Sequence, residues 1–163
     1  MPKSYSPIRI LGIDPGIERL GWAVVEKNAQ RETKRIDSGV KKTLKSKEHQ
    51  VRLLEIYQFL SGLIKNKKPD LVCVEKIFFS KNTKTALTIA EVRGVVLLAA
   101  ADNRIAIKEL TPSELKLAIA GYGLAKKDQV GYVITQELSL PQKHLGDDEI
   151  DALALALYGT YGK

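Results

Sequence analysis

The order in which the hydrophobic period changes along the chain restricts the fold more than any other feature. Ile8 to Asp14 is a nearly continuous apolar run of buried-strand length, and Leu20 to Glu26 is a second. Pro15 and Gly16 supply turn chemistry between them. Arg35 to Lys41 alternates loosely and reads as a third strand, completing an antiparallel meander. The period then changes: Leu53, Ile56, Leu60 and Leu63 recur at helical spacing, so an amphipathic helix is expected from about Glu48 to Asn66, stopped by Pro69 and Asp70. Leu71 to Glu75 has the short apolar character of an interior parallel strand. A helix over about Thr83 to Asp102 follows, nearly all apolar in its C-terminal half, as suits a central helix or an oligomer interface. Ile105 to Glu109 reads as a fifth strand. Thr111-Pro112-Ser113-Glu114 then offers an N-cap, a proline at the first helical position and a capping-box acid. Gly121 and Gly123 interrupt that helix, Lys126 to Leu138 resumes the helical pattern, Pro141 marks a break, and a last helix is expected from about Asp147 to Tyr158.

This order predicts an α/β fold with a mixed five-stranded sheet, three antiparallel strands followed by parallel ones, flanked by helices. With 163 residues and no repeat, linker or low-complexity tract, a single domain over residues 1–163 is expected. The lone Cys73 has no partner for an intrachain disulfide, which fits a reducing compartment. The N-terminal residues lack a signal-peptide core, and the longest apolar run, Val95 to Ala101, is too short to cross a bilayer. A soluble cytoplasmic protein is expected, with no membrane partner and no small-molecule cofactor.

The formal net charge is +7, and the lysines cluster: Lys41, Lys42, Lys45 and Lys47; Lys65, Lys67 and Lys68; Lys76, Lys81 and Lys84; Lys126 and Lys127. Such a balance suits a polyanionic partner, since each neutralised phosphate releases condensed counterions; it equally suits solvated lysine-rich faces. The acids narrow the choice. Asp14 closes the first strand, Glu75 closes the fourth, and Asp148 and Asp151 stand three apart near the start of the last helix, hence on one face. They converge if the first and fourth strands are neighbours. Gathered carboxylates repel and raise one another's pKa unless cations intervene, and Mg²⁺ is a hard cation that takes such oxygen ligands. Two ions about 3.5–4 Å apart serve phosphodiester hydrolysis.

Each acid also has a plain structural explanation. Asp14-Pro15-Gly16 can be only a turn, Glu75 can pair with a lysine, and Asp148 and Asp151 can favour the helix dipole. Asp151, however, leads directly into Ala152-Leu153-Ala154-Leu155-Ala156-Leu157, where a wholly exposed acid is unexpected. Asp148 fits the fourth place best by helical phase, with Asp147 in reserve.

In this combination and order the segments resemble the RuvC family of Holliday-junction resolvases, within the RNase H-like superfamily. The resemblance rests on Leu11-Gly12-Ile13-Asp14-Pro15-Gly16, Val74-Glu75-Lys76-Ile77-Phe78-Phe79 with Lys81-Asn82 and Ala86-Leu87, and Arg93-Gly94-Val95. It continues through Gly121-Tyr122-Gly123 with Ala125, Lys127 and Gln129-Val130, and ends on Asp148-Glu149-Ile150-Asp151-Ala152-Leu153-Ala154. It spans about Ile8 to Tyr158. It implies an RNase H-like fold and a homodimer that cuts two opposed strands of a four-way DNA junction. It also implies Mg²⁺ or Mn²⁺, two ions per active site, and 5′-phosphate products, and leaves room for a branch-migration helicase as a further partner. Asp14, Glu75, Asp148 and Asp151 match the family's metal-binding acids. Phe78 matches an aromatic set against junction bases, although Phe79 is adjacent and either can be the buried one. Lys81 lies in the same stretch as a candidate DNA contact, and Lys116 and Lys127 match basic residues near the scissile phosphate. His144 is expected to be a loop residue.

Three other readings fit parts of the chain. The first strand-turn-strand also resembles the phosphate loop of actin-like ATPases, but the chain is too short for the duplicated fold those proteins use. A nuclease of the same fold acting on RNA or ordinary duplex DNA is the second. A junction-binding module without cleavage is the third, and the presence of all four acids speaks against it.

Overall fold

The computed structural model describes residues 6–77, 83–141 and 145–161. Phe78, Phe79, Lys81 and His144 lie outside the described residues. Five strands form one sheet: β1 (Ile8–Asp14), β2 (Arg19–Lys27), β3 (Thr33–Lys42), β4 (Leu71–Glu75) and β5 (Ala106–Leu110), in the order β3-β2-β1-β4-β5. The first three pair antiparallel, whereas β4 runs parallel to β1 and β5 parallel to β4. The helices are α1 (His49–Lys67), α2 (Thr83–Asp102), α3 (Pro112–Ala120), α4 (Lys127–Glu137) and α5 (Asp147–Thr160).

The pleat sorts the apolar residues onto two faces. Leu11, Ile13, Leu20, Val24, Val72 and Val74 face one way and are covered by Ile56 and Leu60 of α1 and by Val92, Val96 and Ala99 of α2. Ile10, Ala23, Val25 and Cys73 face the other way, beneath Leu153, Leu155 and Leu157 of α5, with Leu115 and Ile134 of α3 and α4 beside them. Alternation of this kind is what burial on both sides requires. The central β1 and β4 are therefore apolar almost throughout, and each turns polar at its C-terminal residue, Asp14 or Glu75.

The ends of β2, β3 and β5 differ from the sequence reading by one or two residues, and the starts of β5 and β3 do so for a local reason. β5 begins at Ala106 because the Ile105 amide is already spent on the Ala100 carbonyl, closing α2 around Arg104 at φ 58°. β3 begins at Thr33, extended by a tight turn in which Asn28 and Glu32 bond to one another and Arg31 takes φ 66°. The expected capping box is present: the Glu114 amide donates to Thr111 Oγ1 at 3.1 Å and the Thr111 amide donates to Glu114 Oε2 at 2.7 Å. The apolar residues of α2 divide their duties. Val92, Val96, Ala99 and Ala100 belong to the core, while Leu87 and Leu98 are about 60% exposed. Among the described residues, no helix is long and apolar enough to cross a membrane.

Candidate active site

Strand pairing brings the first two acids together. Ile13 pairs with Val74 in parallel register, so the next residues, Asp14 and Glu75, leave the sheet side by side and on the α5 face. α5 delivers the other two, and glycine makes its approach close enough. A Cβ at Gly12 would collide with the Ala152 carbonyl oxygen and the Ala156 amide nitrogen, and one at Gly21 with the Asp148 carbonyl. The first turn of α5 thus rests on bare backbone of β2 and the following turns on that of β1, which brings Asp148 and Asp151 near the strand ends.

Asp14, Glu75 and Asp151 line one cleft of about 220 Å³ with Lys116, Lys127, Leu115, Val130 and Ala154. Asp14 is pushed up to about 7, chiefly by burial, then by the charges of Asp151, Asp148 and Glu75, with Lys127 opposing. Glu75 is also raised, by burial first and Asp151 second, while Lys116 pulls it down. Asp148 acts on Asp14 and Asp147 does not feature there. The side chain of Asp147 is 81% exposed against 29% for Asp148, which separates the two neighbours.

Basic side chains hold the two helix acids. Lys127 Nζ lies 2.9 Å from Asp151 Oδ2 and 3.4 Å from Asp147 Oδ2. Burial works against the Lys127 ammonium, but its hydrogen bond to Asp151 and the charges of Asp151 and Asp147 prevail and raise its pKa. Arg19 Nε donates to Asp148 Oδ2 at 2.6 Å. In this state no three of these acids are drawn together as a preformed ligand cluster among the described residues. Their chemistry nevertheless suits a hard divalent ion: every donor is a carboxylate, and the neighbouring charges that add to burial in holding the Asp14 proton on are those a cation would relieve.

The sequence reading placed Lys116 and Lys127 at the phosphate, and both line the cleft. It missed Arg19, and it missed the second tie on α5, where Ser38 Oγ donates to Glu149 Oε1 at 2.5 Å with Arg35 3.9 Å away. Neither signal is local, because β2, β3 and α5 are far apart in the chain and meet only once the sheet is covered. Phe78 and Lys81, assigned to DNA contact, fall outside the described residues.

A sheet ending in Asp14 and Glu75, crossed by a helix bearing Asp148 and Asp151, has close counterparts among known proteins. The family model for "Crossover junction endodeoxyribonuclease RuvC" matches residues 10–159. The chain is 43% identical to the protein of that name from Caldicellulosiruptor saccharolyticus over 150 residues, covering 92% of this chain and 90% of that one. It is 43% identical to its namesake from Prochlorococcus marinus over 152 residues, covering 93% and 97%. The structure of T. thermophilus RuvC in complex with Holliday junction substrate superposes with a TM-score of 0.85 at 26% identity, covering 94% of both chains. The yeast mitochondrial resolvase Ydc2 shares the fold alone, with a TM-score of 0.71 at 14% identity over 98% of this chain and 80% of that one. The fold is thus RNase H-like, and the chain belongs to the RuvC family of crossover junction endodeoxyribonucleases.

Proposed function

We propose that this protein resolves four-way DNA junctions as a homodimer, cutting two opposed strands by metal-dependent hydrolysis at Asp14, Glu75, Asp148 and Asp151. Endonuclease action on crossover-junction DNA accompanies membership of the family. The observation that carries the site assignment is geometric: parallel register sets Asp14 beside Glu75 at the ends of β1 and β4, in a cleft that Asp151 of α5 also lines. Protein interiors do not gather such charge without a counter-charge.

The four acids would hold Mg²⁺ or Mn²⁺, two ions per site. When bound, the ions supply a water nucleophile at neutral pH and stabilise charge on the departing oxygen. Hydrolysis at phosphorus that expels the 3′-oxygen leaves 5′-phosphate and 3′-hydroxyl ends. Lys116, on the cleft wall next to Glu75, offsets phosphate charge. Lys127 neutralises Asp151 in the resting site and lies within reach of the same phosphate. Leu115, Val130 and Ala154 narrow the cleft and limit the water around it.

Leu87, Gly94 and Leu98 lie on one solvent-facing strip of α2, and nothing packs within 4 Å of a Cβ at Gly94. That strip is the proposed dimer face, and two copies related by it supply the two cuts. The whole chain acts as a single nuclease domain in the cytoplasm, and a branch-migration helicase is a fitting partner for loading it. Phe78 and Lys81 are assigned to the junction strands.

The deciding experiment presents purified protein with a synthetic four-way junction and a linear duplex of matched sequence, each with Mg²⁺ and with chelator. Symmetric, Mg²⁺-dependent nicks in the junction are expected, with Asp14→Asn binding the junction but not cutting it. Equal cutting of both substrates would overturn junction selectivity, and undiminished turnover by Asp14→Asn would overturn the site.

A further inference from the structure

Arg19 is the first residue of β2, at the edge of the site, and its Nε donates to Asp148 Oδ2 at 2.6 Å. The bond occupies Oδ2 of a carboxylate whose charge also acts on Asp14 across the site. Anchoring α5 does not depend on it. The helix is seated on Gly12 and Gly21, and its first turn is tied separately to β3 through Glu149 and Ser38. What the Arg19 bond adds is the direction of one carboxylate.

We infer that Arg19 is a positioning residue for the metal site: it fixes the Asp148 carboxylate so that its second oxygen meets a divalent ion. This rests on the four-carboxylate reading above. Four acids around one small space repel one another, and a flexible aspartate relieves that repulsion by rotating away. A planar donor at Nε removes that escape, as partners behind metal-ligating groups generally do; losing such a partner costs about 10–100-fold in metal affinity. The opposing effect is repulsion between the guanidinium and the ion. It is screened, because the Arg19 side chain is 47% exposed while Asp148 is 29% exposed. Orientation prevails over repulsion.

Mn²⁺ binding to the DNA-free protein, followed by electron paramagnetic resonance or titration calorimetry, tests this without recourse to cleavage. Arg19→Gln is expected to weaken Mn²⁺ binding about tenfold, with an unchanged circular dichroism spectrum and unchanged junction affinity in chelator. Placed on Asp148→Asn, the same substitution is expected to add no further loss, because Arg19 acts through that carboxylate. Arg19→Lys keeps the charge but loses the planar donor, is read in the same way, and serves if the glutamine variant does not fold. Unchanged or tighter Mn²⁺ binding in Arg19→Gln or Arg19→Lys would overturn the inference, as would an equal loss in the Asp148→Asn background. Wild-type protein that binds no Mn²⁺, or Asp148→Asn that binds it as wild type does, would instead overturn the metal-site reading itself.

Discussion

At the residue scale the controlling fact is the Asp14 proton. A carboxyl pushed up from 3.8 to about 7 binds more protons folded than unfolded between those values. The stability slope is set by protons bound unfolded minus protons bound folded, so the Asp14 contribution is negative there: its share of the stability of metal-free protein falls as pH rises from about 4 to about 7. Asp14→Asn removes that term. In chelator at pH 8 it is expected to melt above wild type, by up to a few kcal/mol, and the difference should vanish by pH 4, as measured by thermal denaturation at both pH values. Divalent ions must displace the same proton. Metal affinity of the wild type should therefore rise with pH through about 7, which titration calorimetry in buffers of different protonation heat would detect as proton release.

At the element scale, α5 does two jobs with one surface. Ala152, Leu153, Ala154, Leu155, Ala156 and Leu157 are all buried, so the helix covers the sheet; its first turn, unable to be buried, carries the acids. The helix sits where it does because Gly12 and Gly21 lack a Cβ, and the obstructing atoms are backbone, which cannot rotate aside. Gly21→Ala is expected to cost about 1–3 kcal/mol or more from overpacking and to lift Asp148 from the strand ends, so that Mn²⁺ affinity falls together with the melting temperature. A wild-type melting temperature in this variant would mean that the close approach carries no packing role. The contrast with Arg19→Gln is useful, since that variant should lose metal affinity at constant stability.

At the scale of the whole molecule, the proposed two cuts require two sites. Leu98 is 60% exposed on α2, so a charge placed there disturbs no core contact. Leu98→Glu is expected to turn a micromolar dimer into a monomer in sedimentation, and to yield unpaired nicks at a lower junction affinity. An unaltered dimer would move the interface elsewhere. The lysines on the surface act at longer range. Lys41 and Lys42 end β3, and Lys42 pairs across the sheet with Arg19 at the rim of the site. With a net charge of +7, junction affinity should drop steeply with salt, by about 10³-fold or more between 50 and 200 mM if six or more phosphates are contacted. A flat response would mean that the clusters do not touch phosphate.

The division between sequence and tertiary structure follows these scales. Periodicity, with turn and cap residues at the boundaries, located the strands and helices to within a residue or two, because a core between two helical layers demands apolar β1 and β4 and one-sided helices. The boundary at Ile105 moved because its amide bonds to the end of α2, and that at Thr33 because the turn from Asn28 to Glu32 carries the pairing back to Lys27. Resemblance of the motifs singled out the acids, and Asp14 and Glu75 were legible also as polar ends to apolar strands. Helical phase preferred Asp148 to Asp147, but only the folded chain, with α5 seated on Gly21, shows Asp148 and not Asp147 acting on Asp14. Arg19 was invisible for the same reason. Its partner lies 129 residues away, and a contact made by bringing together β2 and α5 has no signature in either segment alone.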